Sequence, residues 1–229
     1  MKKEVIVLSL GGSLIIPGDI NVKYLKNLKK VLLKNTKKHK FVVVCGGGSL
    51  ARKYISAIRG VNGSEKFQSF SGISATRTNA RFMSYFFNQE QEQGIPHTLE
   101  TLEKYLKKRD IVFCGALEYK PDQTSDSTSA QLAKHFGSIF INLSNTFGLF
   151  TKDPLKYKDA VHIPKISWKD FDKIVSAMKF KPGQHFVLDQ KASRIIMKNK
   201  ISTYLLGPKA EHLDKLLKGK KFKGTLISG

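Results

Sequence analysis

FVVVCGGGSLAR, residues 41–52, runs from an unbroken apolar stretch through three consecutive glycines into a segment with helical spacing. Phe41–Cys45 is short and continuously apolar, which reads as a strand buried on both faces. Past it, Leu50, Tyr54, Ile55 and Ile58 recur on one side, so Ser49–Ile58 reads as a helix. Without side chains at Gly46, Gly47 and Gly48, backbone N–H groups can approach an anion with no Cβ in the way. The helix that follows adds its unpaired N-terminal donors and its dipole. Arg52, one turn in, is a planar and permanently charged donor able to reach back to a phosphate. The plainer alternative is that these glycines only permit a tight strand-to-helix turn.

The arrangement recurs upstream. Val5–Leu10 is another buried-strand run, and it ends in Gly11-Gly12-Ser13. Two glycine clusters at the C-terminal ends of strands, where open α/β sheets bind ligands, favour phosphate binding over the turn-only alternative. Neither cluster fits a dinucleotide fingerprint, and no Gly-x-x-x-x-Gly-Lys-Ser/Thr loop occurs.

Strand and helix patterns alternate onward from these two. Helices are expected over Val22–Leu33, Ser127–Phe136, Trp168–Met178, from Asp189 as cap through Lys198, and over Leu213–Leu217. Strands are expected at Ile111–Cys114, Ile139–Leu143 and Ile201–Leu206, with Thr225–Ile227 as an edge strand. The fold class is therefore α/β, a three-layer αβα sandwich around a largely parallel twisted sheet. The chain of 229 residues reads as one domain, with lobes dividing near residue 140 (about 1–140 and 141–229).

Two further segments carry candidate chemistry. Gln123-Thr124-Ser125-Asp126-Ser127 offers hydroxyls for an acceptor, and a carboxylate that can orient a cation or hold a metal ion. Its structural alternative is a helix N-cap made by Asp126 and Ser127. Ser144-Asn145-Thr146-Phe147-Gly148-Leu149-Phe150-Thr151-Lys152-Asp153-Pro154 offers an aromatic for a purine and Lys152 for phosphates, or is an ordinary polar loop. The six histidines form no pair with an acid at a suggestive spacing, and His97, His135, His162 and His185 read as surface or packing residues. Cys45 and Cys114 read as two buried free thiols.

Taken in order, these segments resemble the amino-acid-kinase superfamily, nearest its archaeal UMP kinases. The resemblance is carried by Leu8–Ser13, Gly46–Ile55, Ala75-Thr76-Arg77-Thr78-Asn79-Ala80, Thr124–Asp126, Phe150–Pro154 and Asp189–Ile196. It implies transfer of the γ-phosphoryl group of ATP, with Mg²⁺, to a nucleoside monophosphate, UMP giving UDP, in a cytoplasmic homo-oligomer, a hexamer or a dimer. It implies that Gly11, Gly12 and Ser13 cradle the transferred phosphate, with Arg52 and Asp126 in the catalytic group. Gly46, Gly47, Arg52, Thr124 and Ser125 would bind the acceptor. Gly12, Gly47, Ser144, Asn145, Phe150, Lys152 and Asp153 would line the ATP site. The acceptor would belong to the first lobe and ATP to the second.

The chain also departs from that pattern. Ser9 stands where many members have a lysine that archaeal UMP kinases also commonly lack, Ser69 where UMP kinases carry an aspartate for the ribose, and Phe147 where the usual Val-Asp-Gly has its carboxylate. Leu117-Glu118-Tyr119-Lys120-Pro121-Asp122 is about two residues longer than the family loop. These departures keep two alternatives open: a kinase of the same fold with another small phosphate or carboxylate acceptor, and a non-catalytic nucleotide-binding relative.

The charge balance favours anionic partners, nucleotides, nucleic acid or anionic lipid, but reads first as lysines scattered over solvated helix faces. Forty Lys plus Arg against 18 Asp plus Glu give a net charge of +22. The lysine runs lie apart and lack interleaved aromatics, so nucleic acid is not the expected partner. No stretch approaches a membrane span, and the N-terminus has no signal-peptide shape.

Overall fold

The structure, a computed structural model, describes residues 3–89, 94–119, 123–154, 156–177 and 188–229. Its elements run β1 (Glu4–Leu10), α1 (Gly12–Ile15), α2 (Val22–Asn35), β2 (His39–Cys45), α3 (Gly48–Gly60), α4 (Glu65–Phe86), α5 (Leu99–Lys108), β3 (Ile111–Cys114) and α6 (Ser125–Phe136). Then follow β4 (Phe140–Leu143), β5 (Leu149–Phe150), β6 (His162–Ile163), β7 (Lys165–Ile166), α7 (Trp168–Ala177), α8 (Gln190–Lys198), β8 (Thr203–Leu206), α9 (Ala210–Leu217) and β9 (Gly224–Ile227). Met178, His185 and residues 120–122 of the longer loop lie outside the described residues.

One sheet of seven strands is ordered β3-β2-β1-β4-β8-β9-β7. From β3 to β8 every neighbouring pair is parallel. β9 lies antiparallel to β8 and parallel to β7. Thr225–Ile227 is thus an interior strand, because the two-residue β7 pairs outside it. β5 and β6 form a separate antiparallel pair.

The alternation of a pleated strand explains the three layers. Ile6, Leu8 and Leu10 of β1 join a buried cluster with Leu25, Leu28 and Leu32 of α2 and Leu213 of α9. Val7 points the other way, into a cluster with Leu102 of α5, Leu132 of α6, Phe171 of α7 and Ile196 of α8. Phe41, Phe113, Phe140 and Phe171 are fully buried. Truncating any of them to alanine removes about 3–5 kcal/mol, a large share of the roughly 5–15 kcal/mol that a domain has. Cys45 and Cys114 are buried and free, on opposite faces of the sheet. Burial pushes the Cys114 thiol up to about 12, and burial followed by the neighbouring Cys114 pushes Cys45 well above its ordinary value.

β1 has β2 on one side and β4 on the other, so the order of strands reverses beside it. At such a reversal the connections leave in opposite directions and open a crevice past the C-terminal ends of the strands.

Candidate active site

The two glycine clusters meet in that crevice, backbone against backbone. A Cβ on Gly12 would lie 2.0 Å from the Gly48 nitrogen, and one on Gly46 would lie 2.6 Å from the Gly12 nitrogen. Gly48 also has φ +60°, where side chains are strained. Gly11 donates its N–H to the Leu143 carbonyl at 2.8 Å, tying the first turn to the end of β4. The N–H groups of Gly12 and Ser13 open α1 and that of Gly48 opens α3, positions that lack intrahelical acceptors. Two further cross-ties are Gly46 N–H to the Leu10 carbonyl at 2.9 Å and Ser49 N–H to the Ile16 carbonyl at 3.1 Å. Arg52 stands exposed on the first turns of α3.

Opposite these turns lies the start of α6. The N-cap is Thr124 and not the expected Asp126–Ser127 pair. Thr124 Oγ1 accepts from the N–H groups of Asp126 and Ser127, and Ser127 Oγ returns a bond from Thr124 N–H. This closes a capping box and releases the Asp126 side chain from cap duty. Asp126 Oδ1 instead accepts from Ser9 Oγ at 2.8 Å and from Asn142 Nδ2 at 3.1 Å. Ser9 and Asn142 are buried register partners on β1 and β4. Thr124 Oγ1 donates to Asp189 Oδ2, while Asp189 Oδ1 caps α8 by accepting from Ala192 N–H at 2.8 Å. Ser125 occupies the first position of α6 and is partly exposed.

Burial, and then the charge of Asp189, pushes the Asp126 carboxyl up to about 7, against the lowering effect of its bonds from Ser9 and Asn142. Below the ordinary aspartate value of about 3.9 both folded and unfolded chains hold this proton. Between there and pH 7 only the folded chain holds it, so this group's contribution to stability falls as pH rises through that window. Asp126→Asn is expected to leave stability near wild type at pH 4 and to raise it by on the order of 2 kcal/mol above pH 7. Urea midpoints at the two pH values check this; an equal shift at both would remove the buried-carboxyl account.

The segment after β4 lies on the other side of the crevice. Ser144 N–H bonds the Leu206 carbonyl at 3.0 Å, and Ser144 Oγ lies 3.1 Å from Thr146 Oγ1. Asn145 is exposed. The Phe150 ring packs 5.2 Å from His162. Lys152 Nζ is paired with Asp159 Oδ2 at 2.5 Å and stands 5.4 Å from the Tyr157 ring. Asp153 caps a turn with its carbonyl and lies 4.0 Å from Lys156. Phe147 packs on Gly207, where a Cβ would come within 2.7 Å of its ring, and Lys223 Nζ stands 4.6 Å over that ring. Phe147 and Lys223 thus form a cation–π pair beside the end of β8.

His135 Nε2 lies 2.7 Å from Glu103 on the outer face of α5 and α6. His212 Nδ1 accepts from Lys223 N–H at 3.2 Å. Among the described residues, no group of three or more His, Cys, Asp or Glu is placed to hold a metal ion. Among them, too, no helix is long and apolar enough to cross a membrane.

Sequence reasoning missed Asn142 and the Asp189 bond to Thr124. It also missed α4, which carries Asn79 and Arg77 to the two strand ends. Asn142 was findable as a lone amide inside the apolar strand Phe140–Leu143, since a buried amide needs a partner.

The model of the Amino acid kinase family matches residues 4–207. The uridylate kinase of Pyrococcus abyssi is 31% identical over 224 residues, covering 97% of this chain and 98% of its own. That of Archaeoglobus fulgidus is 33% identical over 225 residues, covering 97% and 99%. A crystal structure of the Archaeoglobus fulgidus uridylate kinase superposes with a TM-score of 0.84 at 32% identity, over 97% of this chain and 99% of that one. The UMP kinase of Ureaplasma parvum shares the fold at 18% identity, with a TM-score of 0.79 over the whole of both chains. By its strand order, its paired glycine turns and its nearly full-length matches, this chain belongs to the amino acid kinase family.

Proposed function

We propose that the chain transfers the γ-phosphoryl group of ATP to UMP, forming UDP and ADP. The observation that carries this reading is the backbone-to-backbone meeting of the Gly11-Gly12 and Gly46-Gly47-Gly48 turns at the strand-order reversal. The choice of UMP is supported by near full-length similarity to proteins named uridylate kinase. The lobe up to about residue 140 takes the acceptor and the remainder takes ATP.

Phosphoryl transfer passes through a loose transition state, so positioning and charge stabilisation do most of the work. The phosphate of UMP, with a second pKa of about 6, is mostly dianionic at neutral pH, and no base is needed to activate it. The obstacle is repulsion between two anions. In this reading the Gly11-Gly12-Ser13 turn cradles the transferred group through the N–H groups of Gly12 and Ser13, while Gly11, tied to Leu143, fixes the turn. Gly46, Gly47 and Arg52 hold the acceptor phosphate, and Thr124 and Ser125 meet the rest of the acceptor. Ser144, Asn145, Phe150, Lys152 and Asp153 line the ATP side, which requires Lys152 to exchange Asp159 for phosphate oxygens.

Mg²⁺ is bound in most such sites by substrate phosphates plus one or two carboxylates. The donors present fit that demand: the Asp126 carboxylate, with Asp189 beyond Thr124 and the buried Asn142 Oδ1 without a partner. Asp126 is the residue that would face the ion, which when bound supplies neutralisation of phosphate charge.

A coupled assay of ADP release with Mg²⁺ and ATP, run against UMP, CMP, AMP, GMP and a set of small carboxylic acids and phosphate esters, tests the reading. Turnover selective for UMP is the expected result. Selective turnover of another acceptor would transfer the specificity to Ser69 and the 117–122 loop. Absence of turnover with every acceptor, alongside ATP binding, would leave a nucleotide-binding protein without kinase activity.

A further inference from the structure

The segment Ala75–Ala80 has no part in the reaction just described, yet α4 places three of its side chains on the two strand-end connections of the acceptor side. Asn79 is buried and donates from Nδ2 to the Gly46 carbonyl at 2.7 Å. Two residues earlier, Arg77 reaches the next connection, with Nε 3.0 Å from the Ala116 carbonyl and Nη2 2.5 Å from that of Leu117. Thr76 Oγ1 accepts the N–H of Ala116 at 3.1 Å. Gly115 lets the connection pass against the helix, since a Cβ there would lie 2.7 Å from the Arg77 nitrogen.

We infer that Thr76, Arg77 and Asn79 are positioning residues that fix the glycine turn carrying Arg52 relative to the β3–α6 connection carrying Thr124 and Ser125. The inference rests on the kinase reading above and deepens it. A residue such as Asn79 touches no substrate. It holds the Gly46 carbonyl, and the Gly47 N–H in the same peptide plane is oriented with it. The guanidinium of Arg77 serves two successive carbonyls, so the loop after β3 cannot tilt without breaking both bonds. One helix, two loops and three side chains form a strut across the acceptor side, while the ATP side after β4 makes none of these bonds.

The two halves of the reaction should therefore respond differently. Thr76→Val keeps the shape of the side chain and removes the acceptor for Ala116 N–H. It is expected to raise the KM for UMP about 10-fold while the KM for ATP moves less than about 2-fold, and Thr76→Ser is expected to recover most of the loss. Asn79→Ala is expected to lower kcat/KM for UMP about 10-fold or more. In a cycle with Arg52→Ala its effect should be less than additive, because it acts through the same turn. Thermal midpoints of each variant separate this from simple unfolding, and UMP binding by calorimetry to wild type and Thr76→Val gives a second readout. Equal changes in both KM values, or no change in either while wild type turns over UMP, overturns the strut. A wild-type chain that neither binds nor phosphorylates UMP overturns the kinase reading and the strut together.

Discussion

Gly12→Ala is expected to lose both activity and much of the stability of the fold. The added methyl would sit 2.0 Å from the Gly48 nitrogen, 2.6 Å from the Gly48 Cα and 2.7 Å from the Gly46 carbonyl carbon. All three are backbone atoms held by their own strands and helices, so none can swing aside as a side-chain tip can. Overpacking typically costs 1–3 kcal/mol where side chains can adjust, and about 3 kcal/mol or more is expected here. Whatever separation relieves the clash must part the two turns by about 1 Å, a displacement that can cost on the order of 100-fold in rate. Urea denaturation and steady-state turnover measure the two effects. Gly18→Ala is the control, since a Cβ there meets nothing within 4 Å. It should leave activity unchanged and shift stability by less than about 1 kcal/mol. Retention of wild-type stability and rate by Gly12→Ala would mean that the two turns do not sit against each other.

The contrast between Gly12 and Gly18 shows which parts of this molecule its sequence reveals. Continuous apolar runs ending in glycine, as at Leu10-Gly11 and Cys45-Gly46, announce buried parallel strands because local composition alone excludes other uses. α2 and α8 were legible for a similar reason, with apolar residues recurring at helical spacing and Asp189 placed to cap the second. α4 has no such stripe. Its buried residues are Ala75, Asn79, Ala80, Met83 and Ser84, and many of its hydroxyls bond back to carbonyls three or four residues earlier. Such a helix is stabilised by what it touches, α3 before it and the strands β3 and β2, rather than by an apolar stripe of its own. The same limit applies at Asp126. Its local sequence fits an N-cap, but Thr124 takes that role, and the partners that draw Asp126 inward come from β1 and β4. The glycine turns were visible as motifs; that they interlock depends on β1 and β2 being paired in register, with Leu10 beside Cys45.

Arg52→Ala is expected to have the opposite signature to Gly12→Ala, a large kinetic loss on an intact fold. Arg52 is exposed on α3, so removing its side chain should change stability by no more than about 0.5 kcal/mol. In the proposed reaction it is an exposed cation on the helix opened by the Gly46-Gly47-Gly48 turn, where two phosphate-bearing molecules must be brought together. A preorganised donor aimed at developing charge contributes about 100- to 1000-fold in rate, and kcat/KM for UMP should fall by about that much. Arg52→Lys keeps the charge but gives up the planar fork, so it should recover only part of the loss. The split between parameters locates the residue. A rise in KM for UMP with kcat preserved places Arg52 on the acceptor phosphate alone, whereas equal falls in kcat and kcat/KM place it on the group in flight. A change below about 3-fold in both would remove Arg52 from the reaction and leave the backbone N–H groups of the two turns to offset the charge between the phosphates.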